Sequence, residues 1–355
     1  MRPIASVGIL VADVVAKPVS HYPERGVCAH VERMELHVGG CASNTGLALA
    51  KLGLPVRIVG KVGRDPFGDF LLAELSRYGA DTRGVRRSDT AGTSSTMVMV
   101  HPDGERSFIH SRGANAEFTP DDIDWSVIGD CAVFHLAGVY LMPQMDGEPA
   151  ARVLQEAKRR GMTTCLDTTW DASGQWMRLL QPCLPHLDYI TPNYGEASML
   201  TGETDPERIA DRLLAEGVGT AVIKMDAQGC FVKNREVAFH LPACSVEVVD
   251  MLGAGDCFTA GWLAGVSMGW DLRRTARLAN AVGALCVSAL GATTGVRPLD
   301  ETLQFMERQC PDRLADFLGD YVGSVRGSDE PVAEQAEAII GEILAEKARA
   351  EGLDV

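Results

Sequence analysis

Asp250-Met251-Leu252-Gly253-Ala254-Gly255-Asp256 leads without a break into the apolar run Cys257–Met268. The run has helical length and no internal proline, so the small residues before it read as the turn at a helix N-terminus. Such a turn leaves the N–H groups of Gly253, Ala254 and Gly255 without intrahelical partners, and the helix dipole adds to their pull on negative charge. That arrangement suits a phosphoryl group gathering charge. Asp256, at the end of the turn, is placed to accept a proton from an attacking hydroxyl. The same residues serve equally as a plain glycine turn with a capping aspartate, so this stretch alone leaves both readings open.

Outward from it, short β-like runs alternate with helix-like ones, the rhythm of an α/β fold on a mainly parallel sheet. Strands are expected at Ile4–Val11, Val56–Val59, Ala132–Leu136, Thr163–Leu166, Tyr189–Thr191 and Ala221–Lys224. Helices are expected at Ala42–Leu52, Pro66–Tyr78, Pro149–Arg160, Ala254–Met268 and Leu272–Ala289, the first three closed by Gly53, Gly79 and Gly161. Residues 14–38 and 92–112 break the rhythm with alternating β patterns, and Pro102-Asp103-Gly104 marks a hairpin between Thr96–Val100 and Arg106–His110. They read as a small β lid over one edge of the main sheet. After Pro298 the alternation stops. The domain boundary is therefore drawn at 1–310, followed by a helical extension at 311–355 with a linker at Gly323–Pro331 and an amphipathic helix at Val332–Ala350. That helix is read as packing on the main body in preference to an oligomer contact.

The 355 residues are 46% hydrophobic, enough for one large core, and carry a net charge of -15, which repels a nucleic-acid backbone. Nucleotides are not excluded, because they bind through local backbone donors. None of the ten cysteines forms a C-x-x-C pair, and several lie in apolar runs, so they read as reduced thiols of a cytoplasmic protein. The segment Met1–Val15 is interrupted by Asp13 and reads as a strand in preference to a signal peptide; no apolar run is long enough to span a bilayer.

A second turn, Gly39-Gly40-Cys41-Ala42-Ser43-Asn44, also opens a helix. Its glycines allow close backbone approach, and the Asn44 amide both donates and accepts, which suits a polyhydroxylated ligand. A strand-to-helix turn with Ser43 or Asn44 near the cap fits as well.

Together these stretches resemble the ribokinase-like (PfkB) carbohydrate kinase family. Gly39-Gly40-x-x-x-Asn44 before a helix ending in Lys51-Leu52-Gly53 is similar to its N-terminal signature, and Asp250-x-x-Gly253-Ala254-Gly255-Asp256 to its C-terminal one. Between them, in family order, stand Gly60-x-Val62-Gly63-x-Asp65-x-Phe67-Gly68, Gly113-Ala114-Asn115-Ala116, Thr191-Pro192-Asn193-x-x-Glu196 and Lys224-x-x-x-x-Gly229. The resemblance covers about residues 4–308.

It implies a doubly wound α/β domain with a β lid, and ATP across the C-terminal strand ends. Asp256 would be the base and Gly253, Ala254 and Gly255 the anion hole. Asp13, at the end of the first strand, would hold substrate hydroxyls with Gly39, Gly40 and Asn44. Asn193 and Glu196, on one helical face, would order magnesium, largely through water. Lys224, Gly229 and Asn280 would flank the nucleotide. By the same resemblance Asp250 and Gly291 would lie at a monovalent-cation site, potassium in relatives. Met251 and Leu252 replace the usual threonines there; carbonyl ligands survive such a change, and the lost hydroxyls bear only on activation by the ion. A neutral sugar is the first expectation. A sugar acid or phosphorylated sugar is second, because Arg112 and His110 precede Gly113 and an arginine can pair with a carboxylate. A nucleoside is third, aromatic residues being 6% of the chain. From another class stands a catalytically weak sugar-binding relative. Lid strands in such proteins pair into dimers, so a homodimer is expected. No Walker loop, protein-kinase H-R-D or D-F-G set, or G-x-G-x-x-G after the first strand offers a rival phosphate site.

Overall fold

The computed structural model describes residues 1–310; the extension expected at 311–355 lies outside the described residues. Ile4–Gly8 (β1) is buried along its whole length, as a strand with both faces covered must be. The other strands are Val11–Lys17 (β2), Arg33–Gly39 (β3), Val56–Gly63 (β4), Asp81–Ser88 (β5), Ser95–Val100 (β6), Arg106–Ser111 (β7), Val133–Val139 (β8), Thr163–Thr168 (β9), Tyr189–Ile190 (β10), Thr220–Lys224 (β11), Cys230–Lys233 (β12) and Ala238–Leu241 (β13). The helices are Cys41–Lys51 (α1), Pro66–Arg77 (α2), Trp125–Ile128 (α3), Glu148–Arg159 (α4), Met177–Leu180 (α5), Tyr194–Thr201 (α6), Pro206–Ala215 (α7), Ala254–Ser267 (α8), Leu272–Val287 (α9) and Leu299–Gln309 (α10).

Nine strands form the main sheet in the order β13-β12-β11-β10-β9-β8-β1-β4-β5. From β5 to β11 every pair is parallel; β12 and β13 are an antiparallel hairpin at one edge. The chain leaves β1 first toward β4 and later toward β8, so the direction of winding reverses at β1. Crevices for ligands open at the C-terminal strand ends beside such a reversal. Apolar residues of α1, α2, α8, α9 and α10 form one core layer and those of α4, α6 and α7 the other. The doubly wound expectation is met.

The single strand expected over Ile4–Val11 is two strands in two sheets. At Gly8 the backbone lies against Ala137 O with φ 141°, where no side chain fits. The chain turns there and enters a separate four-stranded sheet, ordered β3-β2-β6-β7. Asp13 therefore sits inside β2 of the small sheet, not at the end of the first strand. The chain also continues as a helix, α10, beyond Pro298, where the alternation was read as stopping. Cys244 and Cys310 form a disulfide, which corrects for this pair the reading of the cysteines as reduced thiols. Their separation of 66 residues hid the pair; folding brings the Cα atoms to 4.5 Å. No helix of the described residues is long and apolar enough to cross a membrane.

Candidate active site

Gly253 starts α8 in the left-handed region, φ 75° and ψ 2°, with Ala292 pressed against the face where a Cβ would stand. Only glycine makes this turn without strain. No side chain caps the helix, and Ala254 N–H leans on Met251 O at 3.3 Å. The first-turn N–H groups of Gly255 and Asp256 have no intrahelical acceptor. Asp256 sits in that turn. Its Oδ2 accepts from Asn44 Nδ2 at 2.8 Å, and its carbonyl from Thr45 Oγ1 at 3.2 Å, which ties α1 to α8. The other Asn44 atom, Oδ1, is buried with no partner among the described residues. Burial, reinforced by the charge of Asp167, pushes the Asp256 carboxyl up to about 6 against the Asn44 hydrogen bond and Lys224.

Asp13 faces the same space from β2. It is buried, and desolvation raises its carboxyl to about 6 despite a hydrogen bond from Thr96 and the nearby His37; the charge of Asp256 adds to the rise. Gly39 is glycine because a Cβ there would collide with the Asp13 carboxylate. Gly40 precedes α1 with φ 88°. Three elements, β2, α1 and α8, thus bring Asp13, Asn44 and Asp256 together. Asn115 is not in that group: its amide clamps Leu10 through Oδ1 at 3.2 Å and Nδ2 at 3.0 Å. Arg112 is exposed before a short 3-10 turn, and its charge reaches Asp146 and His110.

Asn193 and Glu196 form a capping box on α6. Asn193 Oδ1 accepts from Glu196 N at 2.8 Å, and Glu196 Oε2 accepts from Asn193 N at 3.2 Å. Their spacing is therefore that of a cap, not of two residues on a helical face. Glu196 Oε2 also accepts from Thr168 Oγ1 at 2.8 Å, and burial lifts its carboxyl to about 7. Lys224 is buried at the end of β11, its Nζ 2.8 and 3.0 Å from the Asp167 oxygens. Desolvation opposes its charge, but Asp167 and Glu196 outweigh it and keep the amine protonated. A Cβ on Gly255 would lie 3.2 Å from Lys224 Nζ, so the ammonium stands against the turn that opens α8. Gly229, φ 89°, allows the chain to pass under Leu241 O, and Asn280 Nδ2 donates to Pro242 O at 2.9 Å. Both sit against Leu241 and Pro242, at the end of the β12–β13 hairpin. Asp250 and Gly291 are joined directly, Gly291 N–H donating to Asp250 Oδ2 at 2.8 Å.

The sequence reading passed over Asp167, Thr168 and Arg106. Asp167 ends an apolar strand at the ligand edge of the sheet, which was a usable signal. Arg106, on a polar hairpin, carried none; it forms an ion pair with Asp250.

Residues 1–298 match the family model described as pfkB family carbohydrate kinase. The chain is similar to the 2-dehydro-3-deoxygluconokinase of Bacillus subtilis, 26% identical over 298 residues that cover 81% of this chain and 91% of the relative. Among solved structures it is similar to the ribokinase of Thermotoga maritima, with a TM-score of 0.76 and 26% identity over 87% of this chain and all of the other. It is also similar to the fructokinase of Xylella fastidiosa with bound ATP, with a TM-score of 0.73 and 26% identity over 86% of this chain and 98% of the other. A match across most of the described residues, on a doubly wound sheet with a second small sheet beside its ligand edge, makes this chain a sugar kinase that belongs to the pfkB family of carbohydrate kinases.

Proposed function

We propose that this protein transfers the γ-phosphoryl group of ATP to a hydroxyl of a small neutral sugar, with Asp256 as the general base. The observation that carries this is the pairing, in one helical turn, of open N–H donors with a carboxylate whose proton affinity is raised to about 6. A base works best when its pKa approaches the working pH. The attacking hydroxyl gives its proton to Asp256 while its oxygen adds to the γ-phosphorus; the bond to the bridging oxygen of ADP breaks. The turn at Gly253, Ala254 and Gly255, with the Lys224 ammonium behind it, stabilises the charge on the transferring group.

Asp13 and the unpartnered Asn44 Oδ1 would accept from other sugar hydroxyls, and Gly39 and Gly40 let the backbone lie close against Asp13 and β2 beside them. Gly229 and Asn280 lie at the nucleotide end. Magnesium fits the remaining donors: Glu196 Oε2 is occupied by Thr168 and Asn193, which leaves Oε1 for a metal-bound water, with Asn193 beside it. When bound, the ion supplies charge neutralisation on the phosphates. Arg112 and the similarity to a sugar-acid kinase favour a second reading, a carboxylated sugar. A homodimer is also proposed. Leu36, Val14, Met97 and Ile109 form one cross-strand row on the small sheet, and Leu36, Met97 and Ile109 are exposed, an apolar strip that a second copy would cover.

The test is ATP consumption with magnesium across pentoses, hexoses, sugar acids and nucleosides. Turnover with a neutral sugar supports the first reading, and turnover confined to acids the second. Tight binding of one compound with no turnover of any would sink the reaction and point to a sugar-binding relative.

A further inference from the structure

Asp250 opens the anion-binding turn, and its side chain is only 4% exposed. Two backbone donors hold it: Leu252 N–H at 2.8 Å on Oδ1 and Gly291 N–H at 2.8 Å on Oδ2. The third partner comes from elsewhere. Arg106, the first residue of β7 in the small sheet, forms an ion pair with Oδ1 across a separation of 144 residues. A small cavity lined by Val15, His37, Arg106, Asp250, Leu252 and Gly291 lies where the sheet meets the turn.

This geometry does not fit the monovalent ion that the resemblance implies at Asp250 and Gly291. The carboxylate already holds one full positive charge and two N–H donors. A second cation beside a guanidinium in a poorly solvated site would be repelled. Burial works to raise the Asp250 carboxyl, yet Arg106 and the two N–H groups hold it below the usual carboxylate range.

We propose that Arg106 takes the place of the ion: a cation carried by the small sheet that positions the anion-binding turn, so that this kinase needs no monovalent cation. Arg106 is thus a positioning residue, acting through Asp250 on the backbone from Leu252 to Gly255. It also links the sheet that covers the sugar to the turn that binds the phosphoryl group. The inference rests on the kinase reading above.

The experiment uses the full-length protein at constant ionic strength in potassium, sodium or tetramethylammonium chloride. Wild-type kcat is expected to agree within twofold in all three; a larger stimulation by potassium would overturn the proposal. Arg106→Met is expected to lose at least fivefold in kcat in tetramethylammonium and to regain part of it in potassium, which finds Asp250 free. A smaller loss, or none regained, counts against the proposal. Arg106→Lys keeps a cation and is expected to turn over faster than Arg106→Met in tetramethylammonium; equal impairment would show that charge is not what matters. Thermal unfolding without substrates is the second readout. The wild-type midpoint is expected to be the same in potassium and tetramethylammonium, and that of Arg106→Met higher in potassium. If no sugar is phosphorylated in any salt, the kinase reading fails, and a potassium-raised wild-type midpoint still overturns the role of Arg106.

Discussion

Asp256→Asn should cost activity and add stability, and the two effects share one cause. Burial and the charge of Asp167 raise the Asp256 carboxyl from 3.8 to about 6. The native state therefore binds this proton more tightly than the unfolded chain, and the ionised carboxylate destabilises the fold above pH 6. A rise of about two units corresponds to ~3 kcal/mol. Partial exposure of Asp256 toward the cleft screens the charge, so a gain of about 1–3 kcal/mol at pH 8 is expected. The asparagine can still accept from Asn44, so that hydrogen bond survives. As pH falls from about 6 toward 4, the wild-type carboxyl takes up its proton in the native state and the advantage of the variant shrinks. Urea unfolding at pH 8 and pH 4.5 reads the difference; ATP turnover reads the loss, expected to be roughly 10²-fold or more. The wild-type kcat/KM should fall as pH drops through about 6; Asp13 titrates in the same range, so this limb belongs to the pair. A variant no more stable than wild type at pH 8, or one with an equal advantage at both pH values, would refute the electrostatic reasoning. Retained turnover would refute the assignment of the base.

Gly39→Ala places a methyl against the Asp13 carboxylate, so KM for the sugar should rise tenfold or more while KM for ATP stays within twofold. Equal effects on both would place Asp13 outside the sugar site. Lys224→Met leaves Asp167 buried without its partner, and urea unfolding at pH 7 should show a loss of about 3–5 kcal/mol; a loss below about 1 kcal/mol would mean that the site relaxes or hydrates. Met97→Asp puts a charge in the exposed apolar strip of the small sheet. Light scattering should find the wild type dimeric and the variant monomeric with unchanged circular dichroism; a monomeric wild type would end the dimer proposal.

Much of this was legible in the residues themselves. The turns at Gly39–Gly40 and Gly253–Asp256 are local, since small residues next to a helix start leave the backbone few alternatives. The helices at Cys41–Lys51, Pro66–Arg77 and Ala254–Ser267 follow apolar periodicity with glycine or aspartate at their starts, and appear within a residue or two of their expected ends. The buried strands read clearly because both of their faces are apolar.

Other features depend on groups that are distant in the chain. Nothing near Gly8 announces that the first strand stops there; the carbonyl of Ala137, on a neighbouring strand, decides it. The Asn193–Glu196 spacing is shared by a cap and a helical face, and only the fold selected the cap. Lys224 and Asp167 stand 57 residues apart in the chain, and only folding set the two side by side. Cys244 with Cys310, and Arg106 with Asp250, are pairs that no local pattern marks. Local conformation and periodic burial are properties of neighbouring residues, so the fold class and the two glycine turns could be read from the chain alone. Desolvation and Coulomb energies depend on distances through space, so which charges are paired, which carboxyls have their proton affinity raised, and what stands opposite Asp250 follow from the folded arrangement.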